Sequence, residues 1–154
     1  MGQIVVIKNK MGEVIFDDDQ TLLGVADPDL HDAVLEGVVM QGVRFDGVNL
    51  AGANLRGADF YWGGFFMANL SEADLEGAQL QGADLKEADL TNANLRNANL
   101  RQDNLGGSTQ LQGAMLTGVN LQGANLEGCE YDTETVFPEG FKPLAAKMIL
   151  RNRD

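Results

Sequence analysis

Carboxylates are the groups in this chain best able to do chemistry, and they come in close sets: Glu72, Asp74 and Glu76, then Asp84, Glu87 and Asp89. Two carboxyl groups near each other can share general acid and base roles when burial drives their pKa values apart. The run Asp17, Asp18 and Asp19 invites a cation reading. No calcium-loop spacing of oxygen ligands follows it, so a solvated acidic loop is the expectation. His31 is the single histidine and has no Cys or second His beside it, which leaves neither a zinc set nor a His-dependent triad. Cys129 is the single cysteine, which excludes a disulfide framework and a thiolate cluster.

Composition narrows the field further. The 154 residues suit one domain with a single core. Eleven basic residues against 23 acidic ones give a net charge of −12, which repels phosphate backbones and argues against direct nucleic-acid binding. No apolar run reaches membrane-spanning length. The N-terminal stretch lacks the form of a signal peptide, and Val6 stands where a myristoylation motif needs Ser or Thr. A soluble, cytoplasmic protein with a reduced thiol is expected. The 19 glycines beside only 6% aromatic residues suggest a regular, tightly wound backbone with small side chains.

The elements that must position these groups follow from one repeat. From Val43 onward a large apolar residue recurs at every fifth position: Phe45, Leu50, Leu55, Phe60, Phe65, and then leucine through Leu105. Two residues before each stands a small one, alanine at every fifth position from Ala68 to Ala98, with Asn or Asp usually between the two. A period of five fits neither a helix nor a strand. It fits a coil that turns a corner in every unit, with the large and small residues inward and the other three outward. Asn, Asp and Gly supply the turn conformations. Four corners close a square coil, and coils stack at the β-ladder spacing. In so narrow a prism only Ala, Val, Gly or Cys is expected at the small inward position, which is where Cys129 falls as a buried thiol.

With these units the sequence resembles the pentapeptide-repeat family, whose consensus is A-(D/N)-L-x-x. The resemblance implies an all-β fold, a right-handed quadrilateral parallel β-helix. About five coils are expected, roughly 25 Å of stack at the ladder spacing. Glycines in phase at Gly37 and Gly42 favour repeats from about residue 29. The rival reading there makes Asp27 and Pro28 the start of a short capping helix. The expected organisation is a capping hairpin and loop over residues 1–28, the β-helix over 29–131, and a loop and capping helix over 132–154. In the first, Gln3–Lys8 and Glu13–Phe16 read as a hairpin over the first coil. In the last, Pro143 opens a short α-helix whose face of Leu144, Ala145, Met148 and Ile149 plugs the final coil.

Two places break the pattern. After Leu105 one extra residue shifts the phase, and the units resume with Leu111, Leu116, Leu121 and Leu126. Asp103 holds an inward small position just before, so a bulge is predicted in which Asp103 accepts from backbone N–H groups near Gly106 and Gly107. The bulge reads either as a tolerated insertion or as a ligand or partner contact. The second break is FYWGGFFM, which puts Tyr61, Trp62, Phe66 and Met67 outward, while Gly63 makes room beside Phe60 and Phe65. These four are a partner-contact patch, or a lid packed on the N-terminal segment.

On this geometry the carboxylate sets lie outward on a convex prism, without a pocket to split their pKa values. No catalytic, cofactor-binding or metal-binding residue is assigned, and no cofactor is expected. The expected function is a non-enzymatic protein-interaction or scaffold module with an unidentified protein partner, monomeric or dimeric through an end cap. The alternative comes from the resemblance. The family includes quinolone-resistance proteins that act as acidic DNA mimics on gyrase, which the net charge suits. Arg56, Arg96 and Arg101 interrupt the acidic walls and fit that alternative less well.

Overall fold

The computed structural model describes residues 29–152 and, as backbone, residues 7–8 and 14–16. The predicted acidic loop at Asp17–Asp19 and the hairpin's docking on the first coil lie outside the described residues. Strands β1 (Ile7–Lys8) and β2 (Val14–Phe16) pair antiparallel, Ile7 opposite Phe16 and Lys8 opposite Val14.

One unit shows why the repeat folds as it does. Asn49 forms parallel bridges to Asp29 and to Asn69, each twenty residues away. Leu50 turns into the core and donates its N–H to the Asn69 carbonyl at 2.7 Å. Ala51 and Gly52 make the corner, and Ala53 closes it by donating back to the Leu50 carbonyl at 3.0 Å. Gly52 has φ +66, the positive value that a type II turn requires at its third residue. The Asn49 side chain accepts the Ala51 N–H at 3.1 Å, and Asn54, Asp74 and Asp89 do the same for the residue two further on. That local bond explains the Asn or Asp between the two inward residues: it ties each corner to its own wall.

Bridges at a five-residue step and a twenty-residue interval define four walls. The first stacks Asp29, Asn49, Asn69, Asp89, Met115 and Val136. The second stacks Val34, Asn54, Asp74, Asn94 and Asn120, and the third Val39, Asp59, Gln79, Asn99 and Asn125. The fourth stacks Arg44, Gly64, Asp84, Gln110, Glu130 and finally Ile149. Bridges begin at Asp29 and Val34, so the rival capping helix does not form over residues 29–37.

The core is a filled tube. The leucine column from Leu50 to Leu100 and the alanine column from Ala53 to Ala98 are all buried. Phe45, Phe60 and Phe65 form one cluster with ring centroids 5.2–5.8 Å apart. A Cβ on Gly63 would lie 2.9 Å from the Phe60 carbonyl oxygen and 3.0 Å from the Phe65 ring, so the phenylalanines leave room for glycine alone. The small column also admits threonine, contrary to expectation. Thr109 is buried with its hydroxyl donating to the Leu80 carbonyl at 2.8 Å and accepting the Gly82 N–H at 3.1 Å. A hydroxyl fits because the carbonyl below each corner is in reach. Cys129 uses the same geometry, donating to the Leu100 carbonyl at 2.9 Å, and burial pushes its thiol pKa far up.

Three expectations need correction. Asp84 pairs with Gln110, six residues beyond the usual interval. The insertion is therefore a whole unit plus one residue. Leu105, expected inward, stands 84% exposed because its unit has left the wall. No α-helix forms after Pro143. Residues 143–147 make a single turn, in which Lys147 donates to the Leu144 carbonyl and Met148 to the Pro143 carbonyl. Lys147 has φ +56, and this pair of bonds about a left-handed residue is the Schellman stop that ends a helix. The chain then extends as β4 (Ile149–Leu150), parallel to β3 (Glu130–Tyr131). Met148 is buried where a small inward residue would stand, and Tyr131, Phe137 and Phe141 pack against the core, with Tyr131 edge-on to Phe137 and Phe137 stacked on Phe141.

Candidate functional site

The two irregularities of the sequence meet at one corner. Between the third and fourth walls the corner carries Gln41–Gly42, then Tyr61–Trp62, then Gln81–Gly82, and above them residues 101–109, which contain the insertion. The inserted loop folds down over Gly82 onto the aromatic pair. Asp103 organises it. One carboxylate oxygen accepts the N–H of Leu105 at 2.9 Å and of Gly107 at 2.6 Å. The other accepts the Tyr61 hydroxyl at 2.9 Å and the Trp62 indole N–H at 2.7 Å. The Asp103 N–H also donates to the Gly107 carbonyl at 2.9 Å, which closes the loop upon itself.

Glycine is required on both sides of the indole. A Cβ on Gly82 would come within 3.0 Å of the Trp62 ring, and one on Gly107 would overlap it. Trp62 itself takes φ +58, a conformation that glycine holds at Gly42 and Gly82. Met67, Glu72 and Glu87 hold nearly the same φ at their own corners, so the left-handed residue belongs to the turn and not to the bond with Asp103. Burial alone would raise the Asp103 pKa. The bonds from Gly107, Tyr61, Trp62 and Leu105 outweigh it and hold the carboxyl below its usual 3.8.

The predicted patch thus divides. Tyr61 is half-buried and Trp62 half-exposed beneath the loop, with Leu105 at the loop's tip. Phe66 and Met67 occupy the next corner, between the fourth and first walls, and are exposed. There Phe66 lines an open hollow of about 280 Å3 with Lys86, Gln110, Gln112 and Arg151. The lid reading required contacts with residues 1–28, which lie outside the described residues. What the structure places on Trp62 is the loop.

Asp74, Glu76, Asp84 and Asp89 of the carboxylate sets are engaged with cations or turns. Arg56 bridges Asp74 at 3.1 Å and Glu76 at 2.9 Å, and Lys86 lies 3.5 Å from Asp84. His31 sits with its Nδ1 3.2 Å from Asp29 and its Nε2 3.6 Å from Asp32. The backbone N–H of His31 is the largest cause holding the Asp29 carboxyl below its ordinary range. The Leu105 anchor and the hydrogen bonds from Tyr61 and Trp62 to Asp103 were not read from the sequence. Positions twenty apart share a corner, so 62, 82 and 102 lie in one column, and that arithmetic was the signal available.

A family profile described as pentapeptide repeats matches residues 29–62, 68–107 and 108–130 in eight copies. The chain belongs to the pentapeptide-repeat family. Solved pentapeptide-repeat structures agree with that assignment. The protein alr5209 from Nostoc Pcc 7120 is 41% identical over 70% of this chain and 84% of its own, with a TM-score of 0.65. HetL, from Nostoc sp. Strain PCC 7120 and involved in heterocyst differentiation regulation, is 32% identical with a TM-score of 0.66. That match covers 68% of this chain but only 44% of HetL. Rfr23 from the cyanobacterium Cyanothece 51142 is 36% identical over 76% of this chain and 71% of its own, with a TM-score of 0.55. No relative is found among curated proteins. The match across residues 68–107 treats the inserted unit as one more repeat, the misreading that periodicity alone invites.

Proposed function

We propose that this pentapeptide-repeat chain is a non-enzymatic protein-interaction module whose contact face is the corner between the third and fourth walls. One observation carries the reading. Leu105 is held out at 84% exposure on a loop that Asp103, Tyr61 and Trp62 lock in place. A large apolar side chain in water is a cost, and ordering a loop to hold it there is a second one. A partner that buries Leu105 together with the exposed edge of Trp62 recovers both, since a pre-ordered anchor loses little entropy on binding.

The acidic DNA-mimic reading is not favoured by the arrangement of charge. Along the corner between the second and third walls Glu36, Arg56, Glu76 and Arg96 alternate in sign, and Arg56 is tied to both Asp74 and Glu76. A mimic of a phosphate backbone needs a continuous negative face.

The test is a photo-crosslinking residue placed at position 105 and, as a control, at position 91, in the protein's native cells. A discrete adduct is expected from position 105 alone, competed by excess wild-type chain but not by Leu105→Asp. Equal adducts from both positions, or none, would sink the reading. Gyrase supercoiling, with and without a quinolone, should be unchanged by micromolar protein. Inhibition or protection would transfer the case to the DNA-mimic alternative.

A further inference from the structure

Most cations of this acidic chain are taken up by its own carboxylates. Arg44 pairs with Asp46, Arg56 with Asp74 and Glu76, Lys86 with Asp84, Lys147 with Glu127 and Arg151 with Glu130. Arg96 and Arg101 differ. Both are exposed. Their backbone N–H groups donate to Asn94 and Asn99, but neither guanidinium has a hydrogen bond or ion pair among the described residues. They stand on one coil, at the two corners that flank the third wall. The carboxylates next to them in their columns are held elsewhere. Glu76, one layer below Arg96, is held by Arg56 at 2.9 Å, and Glu127, one layer above Arg101, by Lys147 at 3.3 Å. The wall between the two arginines is neutral. From Gln79 upward it carries Gln79, Asn99 and Asn125, whereas the coil of Gln79 puts Asp74, Asp84 and Asp89 on the other three walls.

Arg101 also shares its corner with the Leu105 loop, so an unpaired cation stands on the same surface as an apolar side chain held 84% exposed. We propose that the third wall, along the coil of Asn99, is the docking track of an acidic segment of a partner protein. Its carboxylates pair with Arg96 and Arg101, and an apolar residue beside the second of them covers Leu105. This inference rests on the reading of the Leu105 corner as a contact face and names the chemistry of what it contacts. Three features select that occupant. The arginine fork matches a carboxylate through two parallel bonds. The amide wall offers hydrogen bonds and no charge to repel an acid. Leu105 calls for an apolar neighbour, which a protein segment supplies and a bare phosphate does not. At physiological salt, charges beyond about 8 Å are largely screened, so these two arginines and not the net charge of −12 decide what docks on this face.

Random linear peptides displayed on phage are selected on the intact chain, and the enriched ones are synthesised and titrated by fluorescence anisotropy. Enriched peptides should carry Asp or Glu beside a leucine, isoleucine or aromatic residue. Their affinity should fall about tenfold in Arg101→Glu, and further when Arg96→Glu is added. Leu105→Asp should weaken them by a similar factor. Lys142→Glu, which reverses an exposed cation of the C-terminal segment, should leave them unchanged. Each variant is confirmed folded by its melting transition. The proposal is overturned if no peptide is enriched, if the enriched ones lack carboxylates, or if they bind the arginine variants as tightly as wild type. A photo-adduct from position 105 that persists in the arginine variants would then leave the contact face standing without an acidic partner. Equal losses in Lys142→Glu would reduce the effect to overall charge, and loss at the arginines with none in Leu105→Asp would separate the two surfaces. Either result overturns the proposal. A short DNA duplex that binds wild type but not the double arginine variant would assign the arginines to phosphate and overturn it equally.

Discussion

Two corners of the same coil show what strict repetition does and what its relaxation allows. Between the second and third walls each layer carries a polar or charged side chain, from Glu36 through Arg56, Glu76 and Arg96 to Gln122, and every step from the one wall to the other is five residues long. Between the third and fourth walls the corresponding places hold Gln41, Tyr61, Gln81 and then a loop six residues too long. The first corner spends its side chains on solvation and on local ion pairs such as that of Arg56 with Glu76. Exposed pairs of that kind add little stability. The second keeps the backbone track but spends two aromatic residues, two glycines and an aspartate on holding one loop. The walls make the rod, and departures from the repeat make its individual surface.

The sharpest way to break this contrast is to treat two leucines alike. Leu80→Ala empties a site in the filled column and should cost about 2–5 kcal/mol. Leu105→Ala, at a position of the same repeat phase, should shift stability by no more than about 0.5 kcal/mol. Chemical denaturation of both variants decides it, and equal losses would return Leu105 to the core. Next in size is Gly107→Ala, whose new methyl group overlaps the Trp62 ring. A loss of about 1–3 kcal/mol is expected, with a red shift of tryptophan emission as the indole is displaced. Gly106→Ala meets no neighbour but strains the backbone at φ +87, so it should cost about 1–2 kcal/mol while leaving the emission maximum in place.

Smaller effects sharpen the role of Asp103. Trp62→Phe keeps an aromatic ring but removes one donor to the carboxylate, so the amides of Leu105 and Gly107 should exchange faster and stability should fall by about 1–2 kcal/mol. The pH dependence has a definite sign. The folded carboxyl titrates below 3.8, so its contribution is complete above that value and is lost as pH falls through the lower, folded pKa. Loop-amide protection should therefore persist through pH 5 and disappear only in strong acid. Loss of protection near neutrality would show that another group holds the loop. Cys129, buried and hydrogen-bonded to Leu100, should react with a thiol reagent only at the rate of unfolding.

The walls were legible because inward packing enforces the period: each of the leucines from Leu50 to Leu100 occupies the place its spacing predicts. The loop was legible only up to a multiple of five. A periodic pattern registers an insertion of six as an insertion of one, and Asp103–Gly107 passes as a unit because nothing in D-N-L-G-G distinguishes an extruded leucine from a buried one. That Asp103 would bind backbone N–H groups followed from its buried position. That its other oxygen would take Tyr61 and Trp62 needed the twenty-residue layer spacing as well. The tail misled for a different reason. Pro143–Leu150 has a helical apolar face, but the free edge on the fourth wall offers Ile149 a ladder partner, and tertiary pairing outweighs local propensity. The narrow prism leaves room at the small position for a side chain of valine's size, and threonine takes it because the carbonyl at the corner below accepts its hydroxyl.

In a stacked array each layer ordinarily touches only the one above and the one below, so melting frays inward from an end like a zipper. The indole of Trp62 reaches past Gly82 to Asp103, two layers up, and so rivets three successive tiers into one cooperative block. Heat or denaturant should peel the extremities first and leave that riveted middle to open last, as a unit.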